Sequence, residues 1–132
     1  MKVLLINGSP HEKGCTYTAL SLIAGELNAG GIETEILNVG TKPVGGCIGC
    51  GGCAAGSGCV FGGVVNEAIE KAKTADAFVF GTPVHYASAS GNMTSFMDRL
   101  AYAGGKYLAY KPAAICCSAR RAGTTSALDQ LV

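Results

Sequence analysis

Short apolar runs alternate along this chain with segments of helical periodicity, and that alternation restricts the possible folds more than any other feature. Residues 2–7, KVLLIN, are an apolar run that stops at Gly8, as a buried parallel strand does. From Thr16 to Asn28, Leu20, Ile23, Ala24 and Leu27 recur at helical spacing, and Gly30-Gly31 supplies a stop. Residues 32–39, IETEILNV, alternate in part and predict a strand nearer an edge. Helical spacing returns over 64–74 through Val64, Val65, Ala68, Ile69 and Ala72. Residues 77–81, AFVFG, predict a third strand, ended by Pro83 because proline cannot donate to a central ladder. Met93, Phe96, Met97 and Leu100 predict the next helix, with Ser90 as its N-cap. Residues 113–118, AAICCS, predict a fourth strand. A last helix follows, capped by Thr124 or Thr125, with Ala127, Leu128, Leu131 and Val132 facing inward. The order β-α-β-α-β-α-β-α implies an α/β fold: a doubly wound parallel sheet with helices on both faces. The length of 132 residues suits one domain over 1–132, with no internal repeat or linker.

Charge and hydropathy exclude several classes. Ten basic and nine acidic residues are spread along the chain, for a net charge of +1. No basic stripe points to nucleic acid. No apolar run approaches the ~20 residues that span a membrane. The opening MKVLLING is too short for a signal peptide and precedes no small-residue cleavage site. A cytoplasmic protein is expected. In that compartment seven cysteines do not imply disulfides; a clustered subset implies metal or redox chemistry. The chain reaches Val132 inside a helical pattern with no stop signal, so a longer native protein, or a partner for that helix, is expected.

In a parallel sheet every strand-to-helix loop opens at the carboxyl edge, where ligands bind at the switch in strand order. Four loops meet there: GSPHEKGCT, the cysteine loop, GTPVHYASASG and SARRAGTT. In the first, Ser9, Thr16 and Thr18 offer hydroxyls, Lys13 offers charge, and the following helix offers free N–H groups, a ready anion site. It is neither G-x-G-x-x-G nor a Walker A loop, so a phosphate monoester suits it better than a dinucleotide. In the third, Pro83, His85 and Tyr86 with small polar neighbours can wall a planar cofactor.

The second loop contains CIGCGGCAAGSGC, with Cys47, Cys50, Cys53 and Cys59 spaced C-x2-C-x2-C-x5-C. Two intervening residues form a turn, so three thiolates can face one centre, and glycines permit the wrap. No histidine lies nearby, and four thiolates suit an iron–sulfur cluster or zinc. Free or disulfide-forming thiols are the remaining alternative. Cys116 and Cys117, adjacent in a strand, point to opposite faces and are read as structural thiols. Cys15 stands at a helix N-terminus, where a thiol pKa can fall.

NGSP before a glycine and threonine that open the first helix, the C-x-x-C-x-x-C cluster, and GTPVHYASASGNMTSFMDR together resemble the NADPH-dependent FMN reductase family of flavodoxin-like proteins. The cysteine loop is similar to that of the iron–sulfur flavoproteins. The resemblance implies a three-layer α/β/α flavodoxin-like sheet of strand order 2-1-3-4 and a bound FMN. It implies a phosphate site at Ser9, His11, Cys15 and Thr16. It places the isoalloxazine against Pro83, Val84, His85, Tyr86 and Ala87, with Ser118-Ala119 lining the far side. It also implies a homodimer or homotetramer. A fifth strand is expected in the family and absent here, so strand four would be an open edge, and either a C-terminally incomplete FMN-binding domain over 1–132 or completion by a partner is expected. Three positions depart from the family pattern: His85 for tyrosine, Thr94 for lysine, and Gly62-Gly63 for an acidic pair.

The expected function is an FMN-dependent oxidoreductase. It would take electrons from reduced nicotinamide, NAD(P)H, or from a redox carrier protein, and pass them to a flavin, quinone or similar acceptor. No acid–base pair stands out as catalytic, in keeping with hydride transfer. Arg120 or Arg121 could receive a nucleotide phosphate. The alternative is an electron-transfer protein holding both FMN and a [4Fe–4S] cluster at Cys47, Cys50, Cys53 and Cys59. A zinc-stabilised binding module is a third class.

Overall fold

A computed structural model describes residues 1–132. Four parallel strands form its sheet: β1 (Lys2–Asn7), β2 (Glu33–Asn38), β3 (Ala77–His85) and β5 (Ala113–Ser118). The spatial order is β2-β1-β3-β5, the order 2-1-3-4 expected of the parallel strands. A two-residue strand β4 (Ser88–Ala89) folds back antiparallel on the end of β3. The helices are α1 (Cys15–Ala29), α2 (Val64–Thr74), α3 (Gly91–Leu108) and α4 (Thr124–Asp129), and a single 3-10 turn, Gly52–Ala55, interrupts the cysteine loop.

Alternation along the strands sorts the core onto two faces. Val3, Leu5 and Val79 point to the α1 side, where they meet Leu20 and Ala24. Leu4, Ile6, Phe78 and Phe80 point to the other side and meet Val65, Ile69, Met93, Phe96 and Leu100 of α2 and α3. Successive strand residues must face opposite ways, so β1 and β3 are apolar throughout because both faces are covered. Leu5 and Ile6 are fully buried, and each such side chain contributes about 1.5–3 kcal/mol. Cys116 leans on the α1-side cluster, while half-buried Cys117 donates to the Thr124 carbonyl at 3.9 Å. Burial first, and the neighbouring Cys117 second, push the Cys116 thiol pKa up.

Two expectations need correction. Pro83 does not end the third strand, which continues to His85 and keeps pairing with β5 as far as Pro83 opposite Ser118. Gly81 accepts from Gly8, so Gly81 and Pro83 both face the β1 side, where β1 has already ended at Asn7. The missing N–H therefore removes no ladder bond. Nor does a threonine cap α4: its N-cap is Gly123, at φ 97°, with no side-chain cap bond. On α4, Ala127 is buried and Leu128 half-buried; just past its end, Leu131 is buried and Val132 exposed. Ser90 does cap α3, accepting from the Met93 N–H at 3.3 Å. β5 pairs only with β3, and Ala113 and Ala114 on it are exposed. No helix is long and apolar enough to cross a membrane.

At the other edge, Glu35 on β2 receives both Lys2 and Lys71. The Lys71 hydrogen bond foremost, then that of Lys2, holds the Glu35 carboxyl below its usual value. Because the folded pKa is depressed, the stabilisation is complete above the unfolded value near 4.5 and is lost as pH falls through the folded value. Glu35→Gln is expected to cost under about 1 kcal/mol at pH 7, the scale of solvent-screened pairs. Urea unfolding should show the gap between wild type and variant closing as pH falls below 4.5. A gap of constant size down to acid pH would refute the assignment.

Candidate functional site: a carboxyl-edge crevice and a cysteine loop

β1 ends in a fully buried Asn7, which organises the loop that follows. Its Oδ1 accepts the Ser9 N–H at 3.1 Å, and its Nδ2 donates to Asn38 Oδ1 at 2.8 Å and to the Glu12 carbonyl at 3.3 Å. Ser9, only 3% exposed, in turn accepts the His11 N–H at 3.1 Å. The loop leads into α1 through Gly14, which supplies no side-chain cap, so the first-turn N–H groups of α1 are left free. Thr16, 1% exposed, sits there with its hydroxyl 2.8 Å from Ser118 Oγ at the end of β5. The first and fourth loops thus meet through a hydroxyl pair 102 residues apart. His11 and Cys15 lie exposed at the mouth. Thr18 is exposed and donates back to the Gly14 carbonyl at 3.3 Å.

The third loop is a tight hairpin. Tyr86 and Ala87 both have positive φ, 49° and 58°, between the paired residues His85 and Ser88. Two left-handed residues in sequence make the turn whose twist matches a hairpin, although Asn-Gly would be the usual choice. The strain is held from α4. Ser126 Oγ donates to the Ala87 carbonyl at 2.6 Å, and Gln130 Oε1 accepts from Ser88 Oγ and from the Ala89 N–H, each at 2.8 Å. Pro83 and Val84 are half-buried, while the Tyr86 side chain is fully exposed. A cleft of about 380 Å³ lies between the first three loops, lined in part by Gly8, Pro10, Val44, His85 and Asn92.

Two residues at the start of α3 pin these loops together. Ser90 Oγ donates to the Gly8 carbonyl at 2.8 Å, joining β1 to the start of α3. Asn92 Nδ2 donates to the Gly40 and Lys42 carbonyls, and its Oδ1 accepts the Val44 N–H at 3.1 Å, so α3 fixes the approach to the cysteine loop.

Cys47, Cys50, Cys53 and Cys59 all line one apolar hollow of about 140 Å³, walled by Ile48, Val60, Phe61, Arg99, Tyr102 and Ala103. Left-handed glycines at 49, 51, 56 and 58 shape the wrap. Cys47 and Cys50 are exposed, and Cys53 and Cys59 are half-buried. The four are not drawn into a closed tetrad, and no three acid, histidine or cysteine side chains stand close enough to share an ion. Cys53 Sγ donates to the Tyr102 carbonyl at 3.7 Å. Cys59 is held twice over. Its backbone exchanges two hydrogen bonds with the Asn66 amide, at 2.8 and 2.9 Å, and its sulfur accepts from Arg99 Nε at 3.3 Å. Burial pushes the Cys59 thiol up, but Arg99 and the Phe61 and Gly62 backbone outweigh it and hold the thiol below its usual value.

The structure puts Ser9 and His11 between β1 and α1, the four loop cysteines between β2 and α2, Cys15, Thr16 and Thr18 in the first turn of α1, Pro83, Val84 and His85 at the end of β3, and Ser118 at the end of β5. Sequence reasoning assigned no role to Asn7, Asn66, Asn92 and Arg99. Only Arg99 left a signal: it falls three residues after Phe96 and four before Ala103, on the buried stripe of α3.

The donor sets suit both expected groups. Buried hydroxyls and free helix-start N–H groups beside a hairpin fit a flavin phosphate and ring. Four cysteine sulfurs on one hollow with a buried guanidinium fit an anionic iron–sulfur centre.

Comparison with known proteins agrees with this picture. The family model described as NADPH-dependent FMN reductase matches residues 1–132. An iron-sulfur flavoprotein of Methanocaldococcus jannaschii, MJ1083, is 34% identical over 99 residues, covering 75% of this chain and 51% of that protein. An iron-sulfur flavoprotein of Archaeoglobus fulgidus is 35% identical over 99 residues, covering 75% of this chain and 48% of its own length. The chain therefore spans about half the length of these relatives. Among solved structures, FerB, an NAD(P)H:(acceptor) oxidoreductase from Paracoccus denitrificans, superposes with TM-score 0.72 at 20% identity, covering 98% of this chain and 68% of that one. An NADH:FMN oxidoreductase, EMOB, gives TM-score 0.69 at 22% identity, covering 97% and 63%. At those identities the likeness establishes the flavodoxin-like fold.

Proposed function

The chain belongs to the NADPH-dependent FMN reductase family, and from that premise we propose that it is the FMN-binding domain of an oxidoreductase that takes electrons from NAD(P)H, or from a redox carrier, and delivers them to a flavin, quinone or similar acceptor. The observation that carries the reading is the meeting of the first and fourth loops at Thr16 and Ser118, 2.8 Å apart, beside the free N–H groups at the start of α1. Ser9, Thr16 and those N–H groups hold the phosphate, with His11 and Cys15 at its mouth and Thr18 one turn further on. Pro83, Val84, His85, Tyr86 and Ala87 support the ring, Tyr86 being free to cover a face. Ser118 closes the far side. FMN, when bound, supplies the hydride-accepting and electron-splitting chemistry. The chain's own part is to bind, orient and exclude water, so it carries no acid–base pair as catalytic residues. Exposed Arg120 and Arg121 receive the nucleotide. The reading includes a cytoplasmic homodimer or homotetramer, which sedimentation of the purified protein measures.

A second reading is favoured by one further observation: the four loop cysteines share a hollow that also holds a buried guanidinium. In it, Cys47, Cys50, Cys53 and Cys59 hold a [4Fe–4S] cluster, and the protein passes single electrons between cluster, flavin and a carrier.

The visible spectrum of protein purified without oxygen tests both. A flavin band that returns on adding FMN to stripped protein, with oxidation of NAD(P)H in the presence of an acceptor, is the expected result. Apoprotein that takes up no FMN would end the first reading. Iron and acid-labile sulfide in stoichiometric amounts are expected on the second, and their absence after anaerobic reconstitution would end it.

A further inference from the structure

Arg99 presents a problem in electrostatics. It stands on α3, is only 7% exposed, and has no carboxylate partner, since the five ion pairs of the molecule all involve Lys2, Lys71 or Lys73. Its guanidinium touches the Gly45 carbonyl at 3.4 Å, the Gly62 carbonyl at 3.0 Å and the Cys59 sulfur at 3.3 Å, and lies 5.8 Å from the Phe61 ring centre. A cation removed from water needs an anion, because dipoles alone do not repay its desolvation. The carbonyls and the ring are neutral. The sulfur is the one contact that can carry negative charge, and it does so as a thiolate or as the ligand of an anionic cluster.

The contacts also explain why the residue is arginine. Three nitrogens of a rigid planar fork reach three different points. Two of them, Gly45 and Gly62, are the entry and exit of the cysteine loop, so one side chain closes its neck and aims its last thiol. A lysine could supply the charge but not the clasp.

We infer that Arg99 is a positioning and charge-balancing residue for an anionic centre ligated by the cysteine loop, holding Cys59 in place and favouring the more reduced, more negative form of that centre. This rests on the second reading above, in which the loop carries a cluster. The cluster's charge becomes more negative on reduction, so a fixed positive charge at its sulfur stabilises the reduced state and raises the potential.

The test uses the full chain, reconstituted without oxygen from ferrous iron and sulfide, as wild type, Arg99→Met and Arg99→Lys. Iron and acid-labile sulfide per chain, the midpoint potential of the cluster and the FMN content are measured on each. Arg99→Met is expected to lower the potential by at least a tenfold shift in the reduction equilibrium, about 59 mV for one electron, with FMN content unchanged. Arg99→Lys should recover most of that potential while holding iron less completely than wild type, because the charge returns without the fork. If circular dichroism shows that Arg99→Met does not fold, Arg99→Gln, polar and uncharged, carries the same expected shift. A wild type that takes up no iron overturns both this inference and the cluster reading. Wild type and variants that share the same iron content and the same potential overturn the inference alone.

Discussion

Gly40→Ala is expected to dislodge the first loop and weaken flavin retention. A Cβ at residue 40 would lie 2.4 Å from the carbonyl oxygens of both Gly8 and Ser9. Neither atom belongs to a side chain that could swing away, and Gly8 is itself fixed by its N–H bond to Gly81 and by Ser90 on its carbonyl. The glycine is there because two chain segments cross at backbone distance just past the carboxyl ends of β1 and β2. Overpacking of a tight site costs about 1–3 kcal/mol, and here the strain falls on the segment that presents Ser9. Urea unfolding should register that loss, and FMN titration should register weaker binding by tenfold or more. A variant with wild-type stability and flavin affinity would show that the crossing is not tight in solution.

Asn7→Ala is expected to have a comparable effect by a different route. Asn7 is completely buried, and its amide satisfies the Ser9 N–H, the Glu12 carbonyl and Asn38 Oδ1 at once. Truncation leaves those groups without their partner in a site closed to water, at about 1–3 kcal/mol for each buried group left unsatisfied. The loop loses the anchor that sets its first residue after the sheet. Equilibrium unfolding is expected to show a loss of several kcal/mol in total, and the flavin should dissociate on gel filtration. Asn7→Asp is the informative companion: it keeps the Ser9 acceptor but loses the donor and sets a buried carboxylate against Asn38 Oδ1 and the Glu12 carbonyl, so at neutral pH it should be more destabilising than alanine. Equal behaviour of both variants would mean that the donor side alone matters.

Periodicity and loop composition made the strands and the position of each loop legible, because burial on both faces of β1 and β3 writes an uninterrupted apolar run, while the strand order came from the family resemblance. Ser90 was legible as a cap, since serine before a helical pattern has a local mechanism. Other features depend on partners far away in sequence. Asn7 pairs with residue 38, and Asn92 reaches across 52 residues to Gly40. An asparagine near a turn is ordinarily explained by the turn, so nothing local marks it as a bolt between loops. Pro83 misled for a related reason. Whether a proline breaks a strand depends on which neighbour its absent N–H would have met, and that neighbour had already ended. The hairpin at Tyr86-Ala87 was illegible because it lacks the glycine or asparagine that announces such a turn.

That hairpin has one more consequence. Two side chains in the left-handed region store about 1 kcal/mol or more each, and the bonds that oppose their relaxation come from Ser126 and Gln130. The wall proposed for the ring is thus a loaded spring whose catch lies on a six-residue helix and on the residue that caps its end. When that helix frays, the turn has reason to unwind with it, so the two open as a single cooperative unit. Rigidity at the third loop is thereby borrowed from α4, and the entropy of any ligand that needs a flat, still surface there is settled some forty residues further along the chain than the residues it touches.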